Sequence, residues 1–251
     1  MTSREVVELF HLILVRALFA NLGDKRLLAV KGGINLRFYF QSVRFSEDLD
    51  IDVMTMSKGT LENKIDRLLE APTVVAPLKA RGITIVEVSK PKQTETVQKW
   101  KLAVTSQGIA IPQRTKVEFS RRPTVETASL ELVDKEIANR YEIPAYLATH
   151  YRCAEAVRQK IHALMDRSET QPRDVFDLHV LFARLDAPRT LDDEAKGWLD
   201  RAIANAAALE FEEYVALVVA FLDPVHADLY SSHEAWDAMQ LGVIERLEAL
   251  R

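Results

Sequence analysis

The chain has 251 residues, 48% of them hydrophobic and 28% charged, and its formal net charge at pH 7 is −4. This composition is typical of a globular protein with ample core material and one or two domains. A single cysteine, Cys153, excludes an intramolecular disulfide and favours a reducing, cytoplasmic compartment. Charged residues interrupt the apolar N-terminal stretch at helical spacing, so we expect neither a signal peptide nor a membrane span there.

Helical and strand patterns alternate in the front half of the chain, which predicts an α+β region. An amphipathic helix is predicted over residues 3–22, a strand over 27–30, a short helix over 34–40 and a strand over 44–53. Beyond these, the pattern predicts a helix over 60–71 and three strands that extend the same sheet, at 83–88, 97–104 and 114–120.

The rear half has a helical pattern throughout. Helices are predicted at residues 151–167, 173–185, 190–208, 211–222 and 233–250. The change of pattern near residue 145 predicts two domains, with bounds 1–145 and 146–251.

Charge is distributed unevenly between the two halves. Residues 1–125 contain 20 lysines and arginines against 13 acidic residues, whereas residues 126–251 contain 13 against 24. A basic front half indicates a surface for polyanions. Uneven charge is also common without functional meaning, and the sequence leaves both interpretations open.

Carboxylates occupy alternate positions in the predicted strand 44–53. The serine and the three aspartates at every second position from Ser46 to Asp52 share one face, because successive strand side chains point to opposite faces. Like charges packed so closely repel unless a cation lies between them, and oxygen-rich sites suit Mg²⁺ or Mn²⁺. The pattern therefore predicts a metal site, although a solvated edge strand gives the same alternation.

Two glycines precede this strand, in the run Lys31-Gly32-Gly33 at the start of the predicted short helix. Paired glycines allow a backbone to approach a phosphate group closely and to donate its amides at a helix start. The run therefore predicts a phosphate-binding turn.

Glu118 lies in the predicted strand 114–120 and is a further candidate metal ligand. If this strand neighbours the carboxylate strand, Glu118 can lie beside Asp48 and Asp50. An ion pair within its own strand, with Lys116 or Arg114, is the simpler interpretation of the same residue.

The third group of candidates lies in two predicted helices of the rear half. Lys160 falls on the apolar stripe of its helix, and a lysine is rarely buried without a partner. In the next helix, Asp174 and Asp177 are spaced so that they face the interior with Leu178. The inward lysine indicates either a buried ion pair or a cation aimed at a triphosphate. We expect the lysine and the two aspartates to share one polar pocket between the two domains. An acid in a first helical turn is, however, also favoured by the helix dipole alone.

These motifs, in this order, resemble those of the AbiEii/MenT-like nucleotidyltransferase toxins. The resemblance covers residues 31 to about 181, through the runs Lys31-Gly32-Gly33, Arg44-Phe45-Ser46-Glu47-Asp48-Leu49-Asp50, Lys160 and Arg173-Asp174-x-x-Asp177-Leu178. It implies a bilobed α+β protein, with a polymerase β-like nucleotidyltransferase core of mixed sheet and flanking helices followed by a helical C-terminal lobe that contributes to the active-site cleft. Gly32-Gly33-Ile34-Asn35 replaces the usual Gly-Ser, so the first phosphate contact falls to backbone amides or to Asn35.

The resemblance also implies roles for individual residues. The catalytic residues would be Asp48, Asp50, Lys160 and Asp174. The nucleotide-binding residues would be Lys31, Gly32, Gly33, Ser46, Lys160, Arg173 and Asp177. The metal ligands would be Asp48 and Asp50, to which the strand pattern adds Glu118.

The implied function is that of a bacterial toxin–antitoxin toxin, in some cases active in phage defence. Such an enzyme uses Mg²⁺ or Mn²⁺ to move a nucleotide from an NTP to RNA, here the tRNA 3′ end, and thereby blocks translation. An antitoxin would be its partner, in the cytoplasm and away from membranes. Three alternatives stay open: transfer to a protein target or antitoxin, a non-catalytic binding module, and a metal-dependent phosphohydrolase that uses the same acids.

Overall fold

The computed structural model describes residues 1–122 and 127–251, and the chain divides into two compact units. Unit 1 comprises Met1–Tyr39 and Ser46–Tyr151, and unit 2 comprises Phe40–Phe45 and Arg152–Arg251. Unit 1 contains a mixed sheet with helices, and the regular elements described in unit 2 are all helical. The fold class is therefore α+β, as the sequence predicts.

A mixed sheet organises unit 1. Its strands, as far as the described residues show them, are β1 (Leu28–Lys31), β2 (Asp48–Val53), β3 (Ile83–Gln93), β4 (Val97–Ser106), β5 (Gln113–Arg121), β6 (Ala128–Leu132) and β7 (Leu147–Tyr151). Their order across the sheet is β3-β4-β5-β2-β1-β7-β6. The pairs β1/β7 and β2/β5 are parallel, and the other neighbours are antiparallel. This strand order places β2 and β1 in the interior of the sheet, each with a neighbouring strand on both sides.

Helices of unit 1 supply much of its apolar core. They are α1 (Ser3–Ala20), α2 (Gly32–Tyr39), α3 (Lys58–Glu70), α4 (Pro72–Lys79) and α5 (Lys135–Arg140). Helix α1 begins with a capping box, in which Thr2 accepts from the Glu5 amide and Glu5 accepts from the Thr2 amide. In β2 the alternate residues Leu49, Ile51 and Val53 are fully buried in the core that α1 shares. The opposite face of β2 is therefore the one that carries Asp48 and Asp50.

Two of the polar residues that interrupt the apolar stretch of α1 are buried. Glu8 binds the Arg37 guanidinium, with 2.5 Å between Oε1 and Nε, and accepts a hydrogen bond from Tyr141 Oη at 2.6 Å. His11 Nε2 lies 2.7 Å from the hydroxyl of Thr115 on β5. Buried polar groups need such partners, so these residues fix α1 against α2 and the sheet.

Unit 2 contains helices α6 (Cys153–Asp166), α7 (Pro172–Phe182), α8 (Asp193–Lys196), α9 (Leu199–Ala207), α10 (Phe211–Leu217), α11 (Pro224–Tyr230) and α12 (His233–Glu248). Helix α7 begins with a proline, which suits a first turn because that amide needs no partner within the helix. Among the helices described in either unit, none is both long and apolar enough to span a bilayer.

The structure corrects several predicted elements. The predicted strand 44–53 begins only at Asp48, because the preceding segment belongs to unit 2 and pairs there: the Phe45 amide donates to the Phe221 carbonyl and the Asp223 amide to the Val43 carbonyl. The predicted helix 190–208 is broken between Lys196 and Leu199. The sequence pattern also missed α4, α5, α11, β6 and β7.

Candidate functional site

The carboxylates of β2 lie beside β5 in the sheet. The two strands are parallel, and their register places Asp48 opposite Lys116 and Asp50 opposite Glu118. Residues opposite each other in neighbouring strands share a face, so Glu118 joins Asp48 and Asp50 on the face that points away from the apolar core. The sequence made this proximity conditional on the two strands being neighbours, and they are.

Each of two carboxylates on this face forms an ion pair with a lysine of a neighbouring strand. Lys116 Nζ lies 2.8 Å from Asp48 Oδ2, and Lys99 Nζ on β4 lies 2.8 Å from Glu118 Oε2. The partner of Glu118 is thus Lys99, whereas the sequence offered Lys116 or Arg114. The side chains of all four residues are between 23% and 33% exposed, so these pairs remain open to exchange with ligands.

Asp50 and Glu118 have opposite electrostatic environments although they are register partners. Burial raises the pKa of Asp50, and the charges of Asp48 and Glu118 add to this effect against those of Lys116 and Lys31. Burial also disfavours the charged form of Glu118, but the hydrogen bond and charge of Lys99 outweigh it and lower the pKa of Glu118. Burial therefore disfavours the charged form of Asp50 more than the neighbouring lysines favour it, and a cation bound beside Asp50 would offset this cost.

Gly32 lies directly against Asp50. Its φ angle is +67°, in the left-handed region, and a Cβ atom at this position would lie 3.0 Å from Asp50 Oδ2. The positive φ angle favours glycine here, and any larger residue would also displace the Asp50 carboxylate. The paired glycines predict a close approach to a phosphate group; the near neighbour of Gly32 in this structure is the Asp50 carboxylate.

Asp52, the third alternating aspartate of β2, is bound inside unit 1. Its side chain is only 2% exposed; Oδ1 lies 2.5 Å from Lys31 Nζ, and Oδ2 accepts from Tyr151 Oη at 2.8 Å. Lys31, predicted to bind nucleotide, thus holds a buried carboxylate next to Asp50. The three aspartates share a face, as predicted, but Asp52 is enclosed.

Ser46 and Asn35 make contacts within unit 1. Ser46 precedes β2 rather than lying on it, which corrects the predicted alternation at its first position, and its hydroxyl donates to the Asp48 carbonyl at 3.0 Å. Asn35 is buried; its amide donates to the Tyr151 carbonyl, and Oδ1 lies 2.9 Å from His150 Nδ1. Of the two candidates for the first phosphate contact, the Asn35 side chain is therefore committed to β7, which leaves the backbone amides.

The donor set on β2 fits a hard divalent cation that arrives with phosphate groups. Within the described parts of the chain, no group of three or more histidine, cysteine or acidic residues is placed to hold a metal ion alone. Magnesium is commonly bound by one or two carboxylates, with phosphate oxygens and water completing its coordination. Asp48 and Asp50 meet this requirement, provided that Lys116 releases Asp48.

A second group of predicted site residues lies in unit 2, between α6 and α7. Lys160 Nζ lies 2.9 Å from Asp174 Oδ1 and 2.6 Å from Asp177 Oδ2, and both aspartates are fully buried. Burial alone would lower the pKa of Lys160, but the two carboxylates outweigh it and raise that pKa. Lys160 is therefore held as a buried cation. The three residues share one polar cluster, as the sequence predicts, but this cluster lies within unit 2 and not between two domains.

Arg44 belongs to the same cluster, although the sequence did not assign it a role. Its guanidinium binds Asp177, with Nη2 lying 3.0 and 3.1 Å from the two carboxylate oxygens. Arg167 Nε lies 2.8 Å from Asp174 Oδ2. Three cations thus meet two carboxylates, which leaves an excess positive charge that an anion can offset. The only sequence signal for Arg44 is its place at the start of the Arg44-Phe45-Ser46 run.

Arg173, predicted to bind nucleotide, stands apart from this cluster. It lies in the first turn of α7, is half-buried and forms no ion pair with any other described residue. The structure thus collects the predicted site residues into two groups, one around Asp48 and Asp50 in unit 1 and one around Lys160 in unit 2.

Comparisons with known proteins agree with these motifs. A family profile described as "Nucleotidyl transferase AbiEii toxin, Type IV TA system" matches residues 13–246. The structure is similar to MenT4, a nucleotidyltransferase toxin from Mycobacterium tuberculosis, with a TM-score of 0.60 and 19% identity over 99% of this chain and 85% of that one. It is also similar to JHP933 from Helicobacter pylori, with a TM-score of 0.56 and 21% identity over 96% and 93% of the two chains. No curated protein matches the sequence as a relative.

Proposed function

Because the chain belongs to the AbiEii family of nucleotidyltransferase toxins of type IV toxin–antitoxin systems, we propose that it transfers a nucleotide from an NTP to RNA. The proposed acceptor is the 3′ end of tRNA, and the consequence is a block of translation. The observation that carries this proposal is the pair Asp48 and Asp50 on the face of β2 that points away from the apolar core, with Asp50 against the Gly32 turn and Lys116 paired with Asp48.

The reaction is an in-line displacement at the α-phosphorus. The hydroxyl oxygen of the acceptor forms a bond to the α-phosphorus, the bond to the bridging oxygen of the β-phosphate breaks, pyrophosphate leaves, and the hydroxyl proton passes to solvent. Mg²⁺ or Mn²⁺, when bound, offsets the charge of the triphosphate and lowers the pKa of the attacking hydroxyl. Asp48 and Asp50 are its proposed ligands, and Glu118 is the additional candidate beside them.

Residues of the chain provide binding and charge. Lys116, once released from Asp48, offers an ammonium group to the phosphates, and the backbone amides of Gly32 and Gly33 are the candidate donors at the turn. Lys160 is proposed to offset charge on the leaving pyrophosphate, since Asp174 and Asp177 keep it protonated. In this account, Asp174 and Asp177 act by holding Lys160. Both are buried in ion pairs, and Arg44 and Lys160 lower the pKa of Asp177 against the effect of burial, which makes Asp177 a weak base.

The remaining parts of the proposal follow from the family. We propose that a cognate antitoxin is the partner, that the cytoplasm is the compartment and that the protein serves in phage defence. Ser46 and Arg173 are retained as candidate nucleotide contacts. Arg173 is the better supported of the two, because its guanidinium has no ion-pair partner among the described residues.

The experiment that tests this function uses each of the four α-labelled NTPs with Mg²⁺ and total bacterial RNA, resolved on a denaturing gel beside Asp48→Ala. We expect label in a tRNA-sized band with the wild type only. Label on protein alone would show that the acceptor is a polypeptide and not RNA. Release of the label as free nucleotide would indicate a phosphohydrolase. No turnover of any NTP would indicate a non-catalytic binding module.

A further inference from the structure

The face of the sheet that carries Asp48 and Asp50 continues across β5, β4 and β3, and cations dominate it there. The strand registers place two lysine pairs directly opposite each other on this face: Lys101 opposite Lys116, and Lys92 opposite Lys99. Arg114, opposite Ala103, lies on the same face two residues before Lys116. Five cations thus share this surface with only two acidic side chains, Glu118 and Glu87.

Directly opposed like charges destabilise a sheet. Two of these cations are offset, since Lys116 binds Asp48 and Lys99 binds Glu118. The other three, Lys92, Lys101 and Arg114, are exposed and form no ion pair with any residue that the structure describes. Folding alone gives no reason to place them opposite further lysines, whereas a bound polyanion would remove the repulsion.

The cations of this surface lie at increasing distances from the carboxylates, as an acceptor that extends away from Asp48 and Asp50 would require. Neighbouring strands lie about 4.8 Å apart, so Lys101, two strands from Asp48, is on the order of 10 Å away from it. Lys92, three strands from Asp50, is on the order of 15 Å away. Two other basic residues of these strands do not belong to this face: Lys90 binds Glu62 and Asp66 on α3, and Arg121 binds Gln98.

We propose that Lys92, Lys101 and Arg114 form a track for the sugar–phosphate backbone of an RNA acceptor, leading across β3, β4 and β5 toward Asp48 and Asp50. This inference rests on the proposed function and adds the surface that holds the substrate. The contacts are to phosphate groups, so they give affinity that depends on salt and not on base sequence.

The test is RNA binding measured without NTP, by fluorescence anisotropy of a fluorescein-labelled bacterial tRNA pool over a range of salt concentrations. The variant is Lys92→Ala/Lys101→Ala/Arg114→Ala. A matched control is Arg67→Ala/Lys79→Ala/Lys135→Ala, which likewise removes two lysines and one arginine, here from exposed positions on α3, α4 and α5 that also form no ion pair among the described residues. Thermal melting checks that both variants are folded.

We expect the track variant to bind RNA about 10- to 100-fold more weakly, with the slope of log K against log salt reduced by about 2 to 3, while the control changes little. An equal loss of RNA affinity in both variants, or no loss in either, would overturn the proposed track. Asp48→Asn separates this inference from the proposed function, because it should bind RNA like the wild type. RNA bound through the track by a wild type that transfers no nucleotide would support the track and refute the proposed activity.

Discussion

Arg44 and Asp177 form a bidentate ion pair that is almost completely buried, with Arg44 6% exposed and Asp177 inaccessible to solvent. Arg44 lies four residues before Asp48 in the chain, yet its side chain belongs to unit 2. Asp177 therefore fixes the segment 40–45 from which the carboxylate strand continues.

Replacing Arg44 by methionine should destabilise the protein strongly. The change leaves Asp177 with Lys160 as its only charged partner among the described residues, and breaking a buried ion pair typically costs about 3–5 kcal/mol. The free energy of unfolding in urea measures the effect. Arg173→Met is the matched control, since Arg173 lies on the same helix as Asp177 without an ion pair among the described residues, and it should change stability by about 1 kcal/mol or less. Equal losses in the two variants would contradict the structural role of Arg44.

Gly32→Ala should impair both folding and activity. A φ angle of +67° costs a residue with a side chain about 1–2 kcal/mol, and the added Cβ would press on Asp50 Oδ2. We expect activity to fall by about 10- to 100-fold, because a small displacement of a group that positions the reacting atoms is costly. Gly23→Ala, which has no atom within 4 Å of its added Cβ, should leave activity unchanged. Normal activity in Gly32→Ala would show that the position of Asp50 is not critical.

Replacement by asparagine should mainly reduce activity at one aspartate of β2, Asp48, and mainly reduce stability at another, Asp52. Asp48 is one-third exposed with a single ion-pair partner, so Asp48→Asn should change stability by about 1 kcal/mol or less and reduce nucleotidyl transfer by about 1,000-fold. Asp52 is buried between Lys31 and Tyr151, so Asp52→Asn should cost about 2–3 kcal/mol. Urea unfolding and initial rates, measured on the same preparations, separate the two effects. A large stability loss in Asp48→Asn would indicate a structural carboxylate instead.

Features of the site that depend on local residue spacing could be predicted from the sequence. The alternation of β2 is a local property with a period of two residues, so the apolar face and the carboxylate face were both predictable. The pairing of Lys160 with Asp174 and Asp177 was predictable too, because helical spacing places all three on inward faces.

Other features depend on contacts between residues distant in the chain, which local patterns do not encode. Strand order decides that Lys99 is the partner of Glu118, and only the position of β7 next to β1 explains why Asp52 is enclosed by Tyr151. The sequence pattern predicts that residues 44–47 begin the carboxylate strand, but the backbone hydrogen bonds of Val43 and Phe45 with residues 221–223 override that local tendency.

Asp50→Asn should alter the pH dependence of stability in metal-free buffer. The pKa of Asp50 is raised in the folded protein, so its protonated form is favoured there, and stability from this group is present below the ordinary value near 3.8 and is lost as the pH rises through the folded pKa. Asparagine does not ionise, so the variant does not lose this contribution to stability as the pH rises. The variant should therefore gain stability relative to the wild type as the pH is raised from about 3.5 to 7, measured by urea unfolding. A difference that stays constant or reverses over this range would show that the charge of Asp50 is already well compensated.

Labelling of RNA with an intact or a blocked 3′ terminus tests whether the protein transfers a nucleotide to the 3′ end of RNA. Bacterial tRNA, untreated or oxidised with periodate to destroy its terminal diol, is incubated with wild-type protein, Mg²⁺ and NTPs labelled at the α- or the γ-phosphate. We expect α-label in untreated tRNA alone, with an equal amount of γ-label released as pyrophosphate, and neither product with Asp48→Asn. Undiminished α-label in oxidised tRNA, or γ-label transferred to RNA or protein, would contradict it.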